Sequence, residues 1–213
     1  MLDQQDGAVM LNLRTVQRGI TMIEVMVTIA ILAIVLAVGI PNLSAWMQDT
    51  QVRSTAESVL TGLQLARAEA VRQNVRTRFQ LTSSSGMGSW TITTDSLTSP
   101  GTFPAANQVQ SAGAQESGQN ARLGVSTAAL AASNCCASAI AAGTGMGTSP
   151  LPGVVFSAFG QVVADNSVTT ITRVDVTNAT SANARRMVVI ISPSGMAKLC
   201  DPSLSSSNTR GCP

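Results

Sequence analysis

The chain contains no histidine and no tyrosine, one lysine (Lys198), four phenylalanines and two tryptophans. Without histidine, the Ser/His/Asp and Cys/His nucleophile arrangements and every His-ligated metal site are excluded. Charge is equally sparse. Only 11% of the 213 residues are ionised, and 13 basic against 11 acidic side chains leave a net charge of +2. That balance excludes a charged disordered tail and lacks the basic field of a dedicated nucleic-acid protein. Beyond residue 50, the acids Glu57, Glu69, Asp95, Glu116, Asp165, Asp175 and Asp201 share no motif spacing. No enzymatic activity, cofactor or metal is therefore expected.

What is present begins with one long apolar run. Residues 20–40, ITMIEVMVTIAILAIVLAVGI, hold 21 residues with Glu24 as their sole ionisable side chain. As a helix this run covers about 30 Å, the hydrocarbon thickness of a bilayer, and is read as a membrane span. Arg14 and Arg18 precede it, whereas Asp49 and Arg53 behind it nearly cancel. The positive-inside rule then puts the N-terminus in the cytoplasm and residues beyond about 45 outside it. An ordinary secretory signal carries its small-residue cleavage site after the apolar stretch. Here the small residue, Gly19, stands in front of it. Glu24 is the second anomaly, because a carboxylate at that depth costs a few kcal/mol (about 2.5–3.5 on insertion scales) unless a cation neutralises it.

The stretch Arg18-Gly19-Ile20-Thr21-Met22-Ile23-Glu24-Val25 resembles the signal of type IV prepilins and pseudopilins. In that superfamily a membrane peptidase cuts after the glycine and methylates the new amine. The family's glutamate and helix-kinking proline stand fifth and twenty-second in the mature chain. Counted from Ile20, these are Glu24 and Pro41. Ile20 departs from the usual phenylalanine at the first mature position. The resemblance implies cleavage after Gly19, methylation at Ile20, and pairing of Glu24 with the amine of a neighbouring subunit. It also implies other pilins, the prepilin peptidase/methyltransferase, an inner-membrane assembly platform and membrane lipid as partners.

Past Pro41, apolar residues recur at helical spacing through Val52, Ala56, Val59, Leu60, Leu63, Ala66 and Ala70. The spacing predicts an amphipathic continuation of the helix over 41–74. Pro41 removes a backbone hydrogen bond and is expected to kink it. Residues 75–213 then read as a periplasmic, β-rich globular domain. Val75 to Leu81 alternate as a half-buried strand, with Trp90 to Thr94 as hairpin partner. Further strands are expected at Gly153 to Phe156, Gln161 to Val163, Thr169 to Thr177, Arg186 to Ser192 and Met196 to Leu199. The 187–191 segment is apolar on both faces, as in a central strand.

Between them, 43 of the 69 residues from Thr82 to Pro150 are Ala, Ser, Thr or Gly. Such a composition predicts a low-complexity, loop-rich insertion with short strands. Gly143, Gly145 and Gly147 lack the Gly-Lys-Ser/Thr of a phosphate loop and are read as a linker. A long helix followed by strands indicates an α+β fold with the helix packed on an antiparallel sheet.

That architecture resembles the H-type pseudopilins of type II secretion and the FimT/FimU-type minor pilins. The marks are Ala66-Arg67-Ala68-Glu69-Ala70, the Phe156 to Gly160 hairpin, and the strand and turn from Val188 to Gly195. The resemblance implies an assembly subunit that initiates or caps a fibre, in a type IV pilus or a type II secretion pseudopilus. It also offers an alternative, a DNA-binding minor pilin acting in transformation. Arg210, with Lys198, Arg185 and Arg186 nearby, is the cationic group that this alternative would use.

Of the four cysteines, Cys200 and Cys212 are expected to bridge, closing a 13-residue loop. For adjacent Cys135 and Cys136, a vicinal disulfide and two free thiols are both open.

Overall fold

The apolar stripe forms one face of a single helix, α1 (Met22–Gln73). In the computed structural model the described residues are 19–113, 119–130, 135–180 and 185–213, with the side chains of residues 38, 41, 42 and 45 excepted. The expected leader, apart from Gly19, lies outside them, as does the side chain of Pro41. The chain divides into two units, 1–42 and 43–213.

In the first unit every described side chain is exposed, including Ile23, Met26, Ile29, Leu32 and Leu36. Among the described residues no helix carries a stretch long and apolar enough to cross a membrane. The run 20–40 read as a span includes Val38, which lies outside the described side chains.

In the second unit the periodic positions behave as amphipathicity requires. Val52, Ala56, Val59, Leu63, Ala66 and Ala70 are fully buried, and Leu60 is partly so. The helix ends where Asn74 takes a left-handed conformation (φ 55°) and the Val75 amide returns to the Ala70 carbonyl. Asn tolerates that conformation because its short polar side chain bonds locally.

Two sheets follow. The first has the order β3-β2-β1-β5-β6, built from β1 (Thr77–Leu81), β2 (Trp90–Thr94), β3 (Gln108–Ala112), β5 (Pro152–Phe156) and β6 (Val162–Val163). A short β7 (Thr169–Thr170) joins β5 in parallel. The second sheet, β10-β9-β8-β4, is antiparallel and comprises β4 (Ala121–Ser126), β8 (Arg173–Asn178), β9 (Met187–Ile191) and β10 (Ala197–Cys200). As expected, β9 is a central strand, and Val188 and Val189 are fully buried.

Helix and first sheet meet through Phe79 and Trp90, whose ring centroids are 5.6 Å apart. Trp90 Nε1 donates to Ser58 Oγ on the helix at 3.1 Å, so the indole is buried without losing its hydrogen bond. Gly62 makes room for both rings: a Cβ there would lie 2.7 Å from the Phe79 ring.

The short strands expected between Thr82 and Pro150 are β2, β3 and β4, and the stretch buries Leu123 and Met146 completely. Small residues permit this: any Cβ on Gly124 would meet the Ala141 carbonyl oxygen at 2.5 Å, so the 140–146 segment lies directly on β4. Gly143 and Gly145, read with Gly147 as a linker, are part of that packed turn, where the Gly143 amide donates to Leu123 and Thr144 accepts from Val125. The single strand read over Thr169 to Thr177 is two, β7 and β8, in different sheets. The chain changes sheets at Ile171 and Thr172, where the Ile171 amide bonds Gly153 of the first sheet and the Thr172 carbonyl accepts from Ile191 of the second.

Candidate functional site

At the N-terminus, Thr21 caps α1. Its Oγ1 accepts the Glu24 amide at 3.3 Å, and Glu24 lies in the first turn. Thr21-Met-Ile-Glu24 thus has the spacing of a capping box, and the carboxylate stands where the helix dipole favours a negative charge. Sequence reading assigned Glu24 only to subunit pairing. The T-x-x-E spacing was the signal for this second, local role. Gly19 and Ile20 are exposed ahead of the helix.

Three short motifs that are distant in the chain converge on the other end of α1. Arg67 Nε donates to the Gly160 carbonyl at 3.0 Å. Gly195 (φ 81°) sits so close to that same carbonyl that a Cβ would fall 1.8 Å from the oxygen. The Val162 amide ties the first turn to Pro193 of the second. Only glycine fits at 195, for both space and backbone conformation. Around this junction Val71, Phe159 and Met196 are exposed, Phe159 at 86%.

At the C-terminus Cys200 and Cys212 form the expected disulfide. Asp201 organises the loop they close: its Oδ1 accepts from the Ser203 amide and hydroxyl at 2.9 and 2.6 Å, while Arg185 binds the other oxygen. Burial would raise the Asp201 pKa, but the Ser203 and Arg185 bonds outweigh it and hold the carboxyl below its usual value. A cavity of about 440 Å³ opens beside this loop, walled by Trp46, Asp49 and Arg53 of the helix and by Arg185 and Arg210.

The four cations proposed for DNA do not form one free patch. Arg185 pairs with Asp201, and its amide donates to Asp49 at 3.0 Å. Arg186 binds buried Asp175 at 2.6 Å, and Lys198 Nζ donates to the Gly211 carbonyl at 3.3 Å. With three of the four engaged, the DNA-uptake alternative is not favoured.

Sequence reading missed one densely bonded site in the second unit. Asp175, fully buried on β8, accepts from Arg173 Nε at 2.6 Å, Arg173 Nη2 at 2.7 Å, Arg186 Nη1 at 2.6 Å and the Ile140 amide at 3.0 Å. The two guanidiniums in turn hold carbonyls of the covering loop, Arg173 those of Cys135 and Ser138, Arg186 those of Cys136 and Ser138. Opposite charges two apart on one strand face were the available signal. Burying them needed the 135–140 loop, which sequence did not place. Cys135 and Cys136 are both free thiols, the second of the two alternatives left open.

The sequence profile described as Type II transport protein GspH matches residues 55–195, and that of the prokaryotic N-terminal methylation motif matches residues 14–40. No curated protein sequence matches the chain. Among solved structures it is similar to the type IV minor pilin FimU of Pseudomonas aeruginosa strain PAO1 in two crystal forms. One is 17% identical, covering 71% of this chain and 94% of that one. The other is 16% identical, covering 75% and 95%; the TM-score is 0.41 for each. With the GspH profile spanning well over half its length behind a methylation motif, the chain belongs to the GspH family of pilin-like proteins and has the role of a minor pilin or pseudopilin.

Proposed function

We propose that this subunit initiates or caps an inner-membrane-derived fibre, and that its N-terminal segment is both processing signal and assembly device. The observation that carries the reading is the joint spacing of Gly19, Glu24 and Pro41, within a segment that matches the methylation motif. In this scheme residues 1–19 are removed, Ile20 receives the methyl group, and the run 20–40 anchors the chain in the inner membrane in a single pass. The N-terminus starts on the cytoplasmic side and residues 75–213 lie in the periplasm.

An uncompensated charge in lipid is strongly unfavourable. The carboxylate of Glu24 on an incoming subunit and the free amine of a docked one therefore favour one axial register. The exposed apolar side chains from Ile20 to Ile40 suit both environments, lipid before assembly and neighbouring helices after it. Pro41 gives the helix a place to bend as it leaves one for the other.

The test is made on the full chain in a cell that carries the peptidase. Gly19→Ala should leave residues 1–19 attached and Ile20 unmethylated by mass spectrometry. Glu24→Ala should be trimmed normally yet absent from sheared fibres. Glu24→Gln, which keeps the capping geometry without the charge, should also fail to assemble. Normal trimming of Gly19→Ala, or normal fibre incorporation of either Glu24 variant, would refute the scheme. Deleting the gene and scoring secretion and piliation side by side separates the two machines; the type II description of the matching family makes secretion the first to score.

A further inference from the structure

Cys136 is a buried free thiol in an apolar cluster with Val188, Ile190, Cys200 and Cys212. The Sγ atoms of Cys136, Cys200 and Cys212 all lie within 4.8 Å of one another, although Cys136 is 64 residues from the nearer partner in sequence. A thiol beside a disulfide is the reactant pair of thiol–disulfide exchange. Its place is held from below: Arg186 binds the Cys136 carbonyl and Arg173 the Cys135 carbonyl, both anchored on Asp175. Above it, a cavity of about 360 Å³ is lined by Cys136, Cys212, Pro202 and Leu204, which leaves Cys212 room to move. Cys200, by contrast, is fixed at the end of β10 in register with Val188.

We propose that Cys136 is an exchange residue that attacks Cys212 and takes over its bond from Cys200. The Cys136 thiol loses its proton, its sulfur bonds Cys212 Sγ as the Cys200–Cys212 bond breaks, and Cys200 leaves as a thiolate that takes up a proton. One disulfide and one thiol stand on each side, so no outside oxidant or reductant is needed. The product fastens the C-terminus to the 135–138 loop instead of β10. It thereby opens the ring that holds Asp201 and Arg210 against the larger cavity, and gives the domain two covalently distinct ends.

The resting linkage is Cys200–Cys212. Burial first, and then the hydrogen bond with Cys135, push the Cys136 thiol up to about 12; Arg173 lowers it and Asp175 raises it. Arg186 from β9's leading edge completes the charged groups that contact this segment. Little thiolate exists near neutrality, and its amount grows about tenfold per pH unit below that pKa.

The experiment uses the purified full-length chain in detergent, incubated at pH 7 and pH 9, quenched with acid, alkylated, digested without reduction and mapped by mass spectrometry. A Cys136–Cys212 peptide should accumulate in the parent and in Cys135→Ser, about a hundredfold faster at pH 9 than at pH 7. It should be absent from Cys136→Ser. Recovery of Cys200–Cys212 alone, with Cys135 and Cys136 both alkylated at either pH, overturns the proposal. Equal yields of Cys135- and Cys136-linked peptides also overturn it, because exchange through the unfolded chain does not distinguish neighbours.

Discussion

Arg173 Nε reaches Asp175 Oδ1 over 2.6 Å, two residues along the same strand and under a loop that excludes water from both. Burial alone would lower the Arg173 pKa; the bonds to Asp175 reverse this and leave it raised. Removing the acid strands two cations, since Arg186 shares it. Asp175→Ala should therefore cost about 3–5 kcal/mol of unfolding free energy. Urea titration followed by Trp90 fluorescence measures it, with Asp175→Asn expected to lose less because the amide still accepts. A change below 1 kcal/mol for the alanine variant (about the size of a surface pair) would show that the network is ornamental.

The Cys200–Cys212 bridge joins residues 12 apart. By loop-closure entropy a ring of this size is worth about 3 kcal/mol. Cys212→Ser should lower stability by that order, and adding reductant to the variant should change nothing further. Reductant added to the parent should reproduce the loss.

Gly195→Ala should be more damaging than its single methyl suggests. The new Cβ would fall 1.8 Å from the Gly160 oxygen that Arg67 also binds, in a backbone conformation at φ 81° that side chains rarely adopt. The conformational penalty alone is about 1–2 kcal/mol. In a double-mutant cycle with Arg67→Ala, a coupling above about 0.5 kcal/mol is expected, as for residues that share one partner. Additive effects would separate the turn from the helix.

Acid should weaken the second unit through Asp165 and Asp201. Both carboxyls are held below their ordinary value of 3.8; in each, burial opposes the shift while Ser167 and Arg76, or Ser203 and Arg185, outweigh it. With folded pKa values depressed, their contribution is complete above about pH 4, the unfolded value, and disappears as pH falls through the folded ones. Stability measured from pH 6 down to pH 2 should fall mainly below pH 4. Asp201→Asn should flatten that fall, and a parent whose stability is level across this range would contradict the assignment.

Legibility followed the range of the interactions. The helix from Val52 to Ala70, the Thr77–Leu81 and Trp90–Thr94 hairpin and the Val188 to Leu199 hairpin were readable because periodicity and turn residues act over neighbours in sequence. The division of Thr169 to Asn178 between two sheets was not. Its apolar positions only change phase between Ile171 and Val174, and it is the backbone bonds to Gly153 and Ile191, both remote, that show where the chain crosses over. Small residues hid the contribution of 82–150 in the same way. A glycine such as Gly124 lets another backbone come close, a role invisible until that backbone is placed.

By itself the sequence determined the N-terminal methylation motif, which rests on the spacing of Gly19, Glu24 and Pro41 along the chain. It also singled out the disulfide, whose cysteines close a short loop. Tertiary structure alone decided that Asp175 would hold two arginines, that Arg67, Gly160 and Gly195 would meet, and that Cys136 would lie beside Cys200 and Cys212. Each of these depends on segments distant in the chain arriving at the same few ångströms, and no local pattern of residues encodes a distance across the fold.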